Sequence, residues 1–241
     1  MVAVQESVVL VTGANGGLGR EFVAAALARG AKKVYASARS PREWDDPRIV
    51  SVALDVTSQE SIDSAVRDAG DVSIVINNAG VSGRTPLTES TVDEVRGVYE
   101  TNVFGPLAVA KAFAPVLAEN GGGALVDILS VMSWVPRPGS YNTSKAAFWS
   151  VTNALRIELA PQGTLVVGAH LSFTETPMTE GLEVPKASAV DIVAAIYDGV
   201  ERDDVEVLAD EPSRRVKALL SGPVTEIATG LFERGGSGTP R

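Results

Sequence analysis

Residues 7–19 read Ser-Val-Val-Leu-Val-Thr-Gly-Ala-Asn-Gly-Gly-Leu-Gly, an apolar β-branched run that breaks into glycines. Residues 7–12 have the length and composition of a strand covered on both faces. The glycines allow a tight turn and a close approach of backbone to a ligand. A helix is expected to follow over residues 17–29. Strand, glycine loop and helix in that order bring free N–H groups and the positive end of a helix dipole to one point, which is what a pyrophosphate needs. The pattern alone also fits an ordinary glycine-rich turn, and the flanking elements have to separate the two readings.

Outward from this loop, short apolar runs alternate with helical stretches. Strands are expected at 33–38, 49–54, 72–76, 124–129, 165–171 and 205–209. Helices are expected at 58–69, with Ser58 as cap, and at 91–119, 140–160, 188–201 and 211–220. Gly105-Pro106 should kink the long helix or divide it in two. This alternation implies parallel strands, right-handed crossovers and helices on both faces. The fold class is therefore α/β, a single doubly wound Rossmann-type domain over residues 1–234, with a mostly parallel seven-stranded sheet. Residues 235–241 (GGSGTPR) are expected to form a flexible tail.

Composition narrows the chemistry. The 241 residues are 45% hydrophobic and 21% charged, which is globular. The net charge is −9, and no basic patch or recognition motif points to nucleic acid. No run approaches 18 apolar residues, and no secretory pattern opens the chain, so neither a membrane span nor export is expected and a cytoplasmic location is. There is no cysteine and one histidine, His170. That removes thiolate nucleophiles and clustered Cys or His metal sites, and it makes a Ser-His-Asp triad improbable. No metal site is expected. The remaining chemical groups are Tyr, Ser, Lys, Asn, carboxylates or a cofactor.

Four segments now fall into an order. Thr12-Gly13-Ala14-Asn15-Gly16-Gly17-Leu18-Gly19 follows the first strand, and Asn77-Asn78-Ala79-Gly80 follows the fourth. Asp55-Val56 follows the third strand. Tyr141-Asn142-Thr143-Ser144-Lys145 opens the helix after the fifth strand, placing Tyr and Lys one turn apart on one face. Together they resemble the classical short-chain dehydrogenase/reductase family, with its TGxxxGxG, NNAG and YxxxK motifs. That resemblance implies hydride transfer between a nicotinamide dinucleotide and a carbonyl or secondary alcohol. It also implies Tyr141 as general acid and base, Lys145 as the ammonium that lowers the phenol pKa, Ser130 as the hydroxyl that holds the substrate oxygen, and Asn102 as the holder of a relay water. The cofactor would lie on Gly13, Asn15, Gly16, Gly17, Leu18 and Gly19. Asp55 and Val56 would face the adenine, Asn78, Ala79 and Gly80 would line the channel, and Tyr141, Lys145, Thr174 and Thr176 would stand at the nicotinamide end.

The acid expected on the adenosine ribose is replaced by Arg39 after the second strand, with Arg20 near the loop, so NADP(H) is favoured over NAD(H). Three departures stand out. Ser130 and Tyr141 are 11 residues apart, about two fewer than the family spacing, and Ser133 competes for the serine role. Leu171-Ser172 replaces the family's Pro-Gly. His170 is expected to be packed, without catalytic duty.

The loop over 176–187 should close on the substrate, with Trp134 either a pocket wall or core. Arg84 and Arg137 are the nearest loop cations, and neither is clearly placed to clamp an anion, so the expected partner is a small neutral carbonyl or alcohol. The two long helices carry spare apolar surface, and relatives pair them, so a homodimer or homotetramer is expected. Competing readings are a dinucleotide-binding sensor without turnover, and a reductase of imines or conjugated alkenes.

Overall fold

The computed structural model describes residues 1–231. The expected tail at 235–241 and the last residues of the expected domain lie outside them. Seven strands form one sheet in the order β3-β2-β1-β4-β5-β6-β7. They are β1 (Val8–Thr12), β2 (Lys33–Ala38), β3 (Ile49–Ala53), β4 (Ile74–Asn77), β5 (Ala124–Ile128), β6 (Leu165–His170) and β7 (Glu206–Leu208). All six pairings are parallel. Parallel strands need crossovers, and the helices that supply them cover both faces.

Side-chain alternation along the strands divides the core in two. Val9, Val11, Ile74, Ile76, Val126 and Ile128 face α1 (Gly17–Ala28) and α6 (Ala189–Glu201). Leu10, Val75 and Leu125 face the opposite layer of α2 (Gln59–Asp68), α4 (Gly105–Glu119) and α5 (Ser140–Leu159). Because both faces are buried, the strands read as continuous apolar runs rather than alternating ones. Tyr197 of α6 fills the first layer, its hydroxyl donating to the Phe22 carbonyl at 3.0 Å.

The helix expected at 91–119 is three pieces. Thr91 and Glu94 form a capping box at the start of α3 (Val92–Tyr99). A π-helical segment, Glu100–Phe104, then leads into α4. Pro106 has no N–H to offer the Asn102 carbonyl, and the Gly105 N–H bonds the Glu100 carbonyl, five residues back. The break thus falls just before Gly105-Pro106. Val92–Glu119 is long and apolar enough by composition to cross a membrane, but half of its most apolar stretch is buried in this fold.

Two further elements complete the described chain, α7 (Glu211–Ala218) and α8 (Val224–Gly230), of which α8 was not expected. Val216, Ile227 and Leu231 pack with Val131 and Val135 in a small cluster beside the carboxyl end of β5.

Candidate active site

The sheet order reverses direction between β1 and β4, so the strand carboxyl ends diverge there and leave a crevice. Thr12 closes its floor. Its hydroxyl accepts the backbone N–H groups of Asn78 and Ala79, each at 3.0 Å, and donates to the Ile76 carbonyl. The Asn78 side chain donates back to the Thr12 carbonyl at 2.8 Å. Gly13 turns with φ +66°, a left-handed conformation that favours glycine. A side chain on Gly19 would put Cβ 2.2 Å from the Gly13 carbonyl oxygen, so α1 can seat against the loop only as glycine. Gly16 caps α1 without a side chain, which leaves the helix's first N–H groups turned to the crevice with no side-chain partner.

The crevice encloses about 610 Å³. It is lined by Gly13, Asn15, Gly16, Gly17, Leu18, Arg39, Asp55, Val56, Asn78, Ala79, Gly80, Ser130, Tyr141, Lys145, Thr174 and Thr176, the residues singled out in the sequence apart from Gly19 and Asn102. Gly19 acts underneath, through packing. Arg20 is not among the lining residues. Asn15 bonds the Ser40 carbonyl at 2.7 Å, tying the loop to the end of β2, and exposed Arg39 stands beside it. Asp55 accepts both the backbone N–H and the hydroxyl of Thr57, which hold its carboxyl below the ordinary range, with help from the Arg39 charge. The glycine cradle, the open helix end and the length of the crevice fit an extended dinucleotide.

Ser130 lies two residues past β5 and lines the crevice. Ser133 is buried with its hydroxyl unpartnered and lines no part of the crevice, which decides between the two serines for placement. The short segment from 131 to 139 still delivers Tyr141 to the site. A 3-10 turn over Val131–Ser133 reverses the chain, and Gly139 at φ +105° packs on the Gly83 carbonyl. The Tyr141 N–H then donates to that same carbonyl at 3.2 Å. Removal from water raises the Tyr141 phenol pKa, and the Ser130 hydroxyl opposes the rise. Lys145 stands one turn further along the same helix. Its Nζ lies 5.8 Å from the Tyr141 ring centre and donates to the Ile128 carbonyl at 2.7 Å. Burial lowers its own pKa to about 8, against the pull of Asp127.

Asn102 is fully engaged behind this face. Its amide pairs with both backbone groups of Val81, at 2.8 and 2.9 Å, and donates to the Ser144 hydroxyl at 3.1 Å. Ser144 in turn donates to the Tyr141 carbonyl at 2.7 Å. The π segment therefore anchors the first turn of α5, where Tyr141 sits. His170 is packed, with Nδ1–H donating to the Ser130 carbonyl at 3.1 Å and its ring stacked 3.9 Å from Trp134. Burial lowers its pKa to about 3. Trp134 is half-buried against the Val131 cluster and lines neither the crevice nor the small pocket beside it.

Sequence reasoning passed over Asp127. It is fully buried, accepts from Asn77 at 2.9 Å and from the Thr152 hydroxyl at 2.8 Å, and burial raises its pKa to about 6. Its signal was an acid inside the apolar run Ala124-Leu125-Val126-Asp127-Ile128.

A second cavity of about 240 Å³ opens on the other side of Ser130 and Tyr141, which line both spaces. A long groove and a small pocket that meet at a serine and a tyrosine, with a buried lysine behind, make a two-ligand site. The short chain dehydrogenase family model matches residues 7–186. A short-chain dehydrogenase of Talaromyces islandicus is 33% identical over 210 residues, covering 79% of this chain and 72% of the relative. Among solved structures, a short chain dehydrogenase from Burkholderia cenocepacia in complex with NADP superposes with TM-score 0.88 at 32% identity, covering 96% of this chain and all of that one. A 3-ketoacyl-(acyl-carrier-protein) reductase from Brucella melitensis complexed with NADH gives TM-score 0.75 at 26% identity, over 84% of this chain and 94% of that one. The chain belongs to the short-chain dehydrogenase family of oxidoreductases.

Proposed function

We propose that this protein reduces a carbonyl group with NADPH, and oxidises the corresponding secondary alcohol in reverse. The observation that carries the reading is the meeting of the two cavities at Ser130 and Tyr141. One end of the long crevice faces the small pocket there, so a reacting carbon in the pocket stands next to the crevice. Bound NADPH would supply the hydride. The glycine loop and the open end of α1 would hold the pyrophosphate. Thr174 and Thr176 would border the nicotinamide.

The chain's own residues supply the rest. Ser130 donates a hydrogen bond to the substrate oxygen. Tyr141, whose phenol is protonated at neutral pH in this environment, gives that oxygen its proton. Lys145, with a pKa of about 8, retains most of its charge at neutral pH and stabilises the phenolate left behind. Asn102 is a positioning residue that acts through Ser144 on the first turn of α5.

Arg39 supports NADPH over NADH, because a guanidinium at the end of β2 pairs with a 2′-phosphate and no acid stands there to repel it. Homo-oligomerisation is supported by apolar side chains left in water on the outer helices, with Phe104 52% and Ile157 77% exposed. The test is oxidation of NADPH and NADH by the purified protein over a panel of aldehydes and ketones. Turnover with NADPH preferred is expected. Tight NADPH binding without consumption on any carbonyl would move the reading to a sensor or to imine and alkene reduction.

A further inference from the structure

The small pocket carries a chemical preference that the sequence did not show. Among the described residues, none of the side chains lining it is acidic, in a chain with 30 acidic and 21 basic residues. Two arginines line it, Arg84 from the loop after β4 and Arg137 from the segment before α5. Asn142 lines it too, and the amide nitrogen of Asn142 is shielded from solvent with no hydrogen-bond partner. A buried donor without an acceptor is costly unless a ligand supplies one. Met132, Phe173 and Leu182 give it an apolar wall, and hydroxyls of Ser130, Tyr141, Ser172 and Thr179 also line it. Arg84 also donates to the Met178 carbonyl, so one arginine ties the outer loop over the pocket.

We infer that the substrate is a small oxo acid, with its carbonyl at Ser130 and Tyr141 and its carboxylate among Arg84, Arg137 and Asn142. This rests on the reductase reading above and replaces the expectation of a neutral substrate. A guanidinium presents paired N–H donors that match the two oxygens of a carboxylate. The Asn142 amide adds a donor that no described residue pairs with. The volume, about 240 Å³, falls below the roughly 300–1,000 Å³ of sites for drug-sized ligands, so the carbon chain is short. The local positive charge matters more because the chain as a whole, at −9, repels anions.

The test pairs short-chain oxo acids with their own methyl esters, in two assays. One measures binding to the protein loaded with NADP+, and the other measures NADPH oxidation. The acid is expected to exceed its ester by about tenfold or more in both, the scale of a hydrogen bond to a charged group. Arg137→Met should bring the acid-to-ester ratio close to one, and Arg137→Lys should restore part of it. Arg84→Met should lower the ratio and loosen the outer loop, seen as faster proteolysis near Met178. Esters that bind and turn over as well as their acids would overturn the inference. If acids bind better than esters but no carbonyl compound is reduced, the reductase reading fails and the oxo-acid site stands.

Discussion

The cofactor side and the substrate side of this site are built by different means. On the β1 side, recognition comes from backbone. Gly13 turns, Gly19 lets α1 approach, and the helix end presents N–H groups that no side chain claims. On the β5 and β6 side, the oxo-acid site we propose is made of side chains from separate segments. Arg84, Arg137, Phe173 and Met178 converge from loops far apart in sequence, and α7 and α8 support Met132 and Phe173 from behind. Backbone recognition needs glycine at fixed local positions, so it can be read directly from a sequence. Side-chain recognition depends on which loops the fold brings together, and one sequence does not display that.

The largest effect should come at the junction of the two sides. Tyr141→Phe removes the proton donor and leaves the crevice intact, so kcat should fall by about 10²–10⁴-fold, the usual contribution of a general acid. NADPH affinity, read by fluorescence titration, should move by no more than about threefold. A variant that keeps wild-type kcat would assign the proton to another group.

The next effect tests the backbone side. Gly19→Ala forces Cβ against the Gly13 carbonyl, so both the loop and α1 must shift. Overpacking of this kind costs about 1–3 kcal/mol, visible as a lower Tm, and NADPH binding should weaken in parallel. Normal binding and normal Tm would mean that the loop is more pliant than its packing indicates. A smaller change should follow Arg39→Asp. NADPH affinity should drop roughly tenfold to a hundredfold while NADH holds or improves, because one charge-assisted contact is lost and a repulsion gained. Equal loss for both cofactors would place Arg39 on a shared part of the dinucleotide.

The smallest effect concerns stability beneath the site. Asp127 has its folded pKa raised from 3.8 to about 6 by burial. Its charge therefore destabilises the fold above pH 6, and that penalty fades as pH falls from about 6 towards 4 and the folded state takes up the proton. Asp127→Asn should raise stability by about 1–3 kcal/mol above pH 6, the scale that linkage assigns to a shift of this size. The gain should shrink to little near pH 4. Urea melts at several pH values would show it, and a gain independent of pH would contradict the assignment.

These residues also show how far the sequence could be read. The strand runs fixed the seven-stranded sheet because both faces are buried, and the glycine loop located the crevice. The segment before Tyr141 is shorter than the family spacing, and the 3-10 turn and Gly139 still bring Tyr141 to the crevice. The π segment at Glu100–Phe104 was not legible, because one extra residue in a turn barely disturbs helical periodicity. Helix α8 escaped because seven residues with one fully seated apolar side chain, Ile227, make almost no pattern. The spacing of Tyr141 and Lys145 showed that they share a helix face, but not that Nζ donates to the Ile128 carbonyl, because that partner comes from a strand.

The most direct test of the central claim follows the hydride itself. NADPH deuterated at the transferring C4 position is mixed with a reducible oxo acid, and the product is analysed by mass spectrometry for the native protein and for Tyr141→Phe. The account predicts deuterium on the carbinol carbon with the native protein, and almost none with the variant although the variant binds NADPH as tightly. Deuterium transferred equally by both, or NADPH bound by the native protein without transfer to any carbonyl, would contradict it.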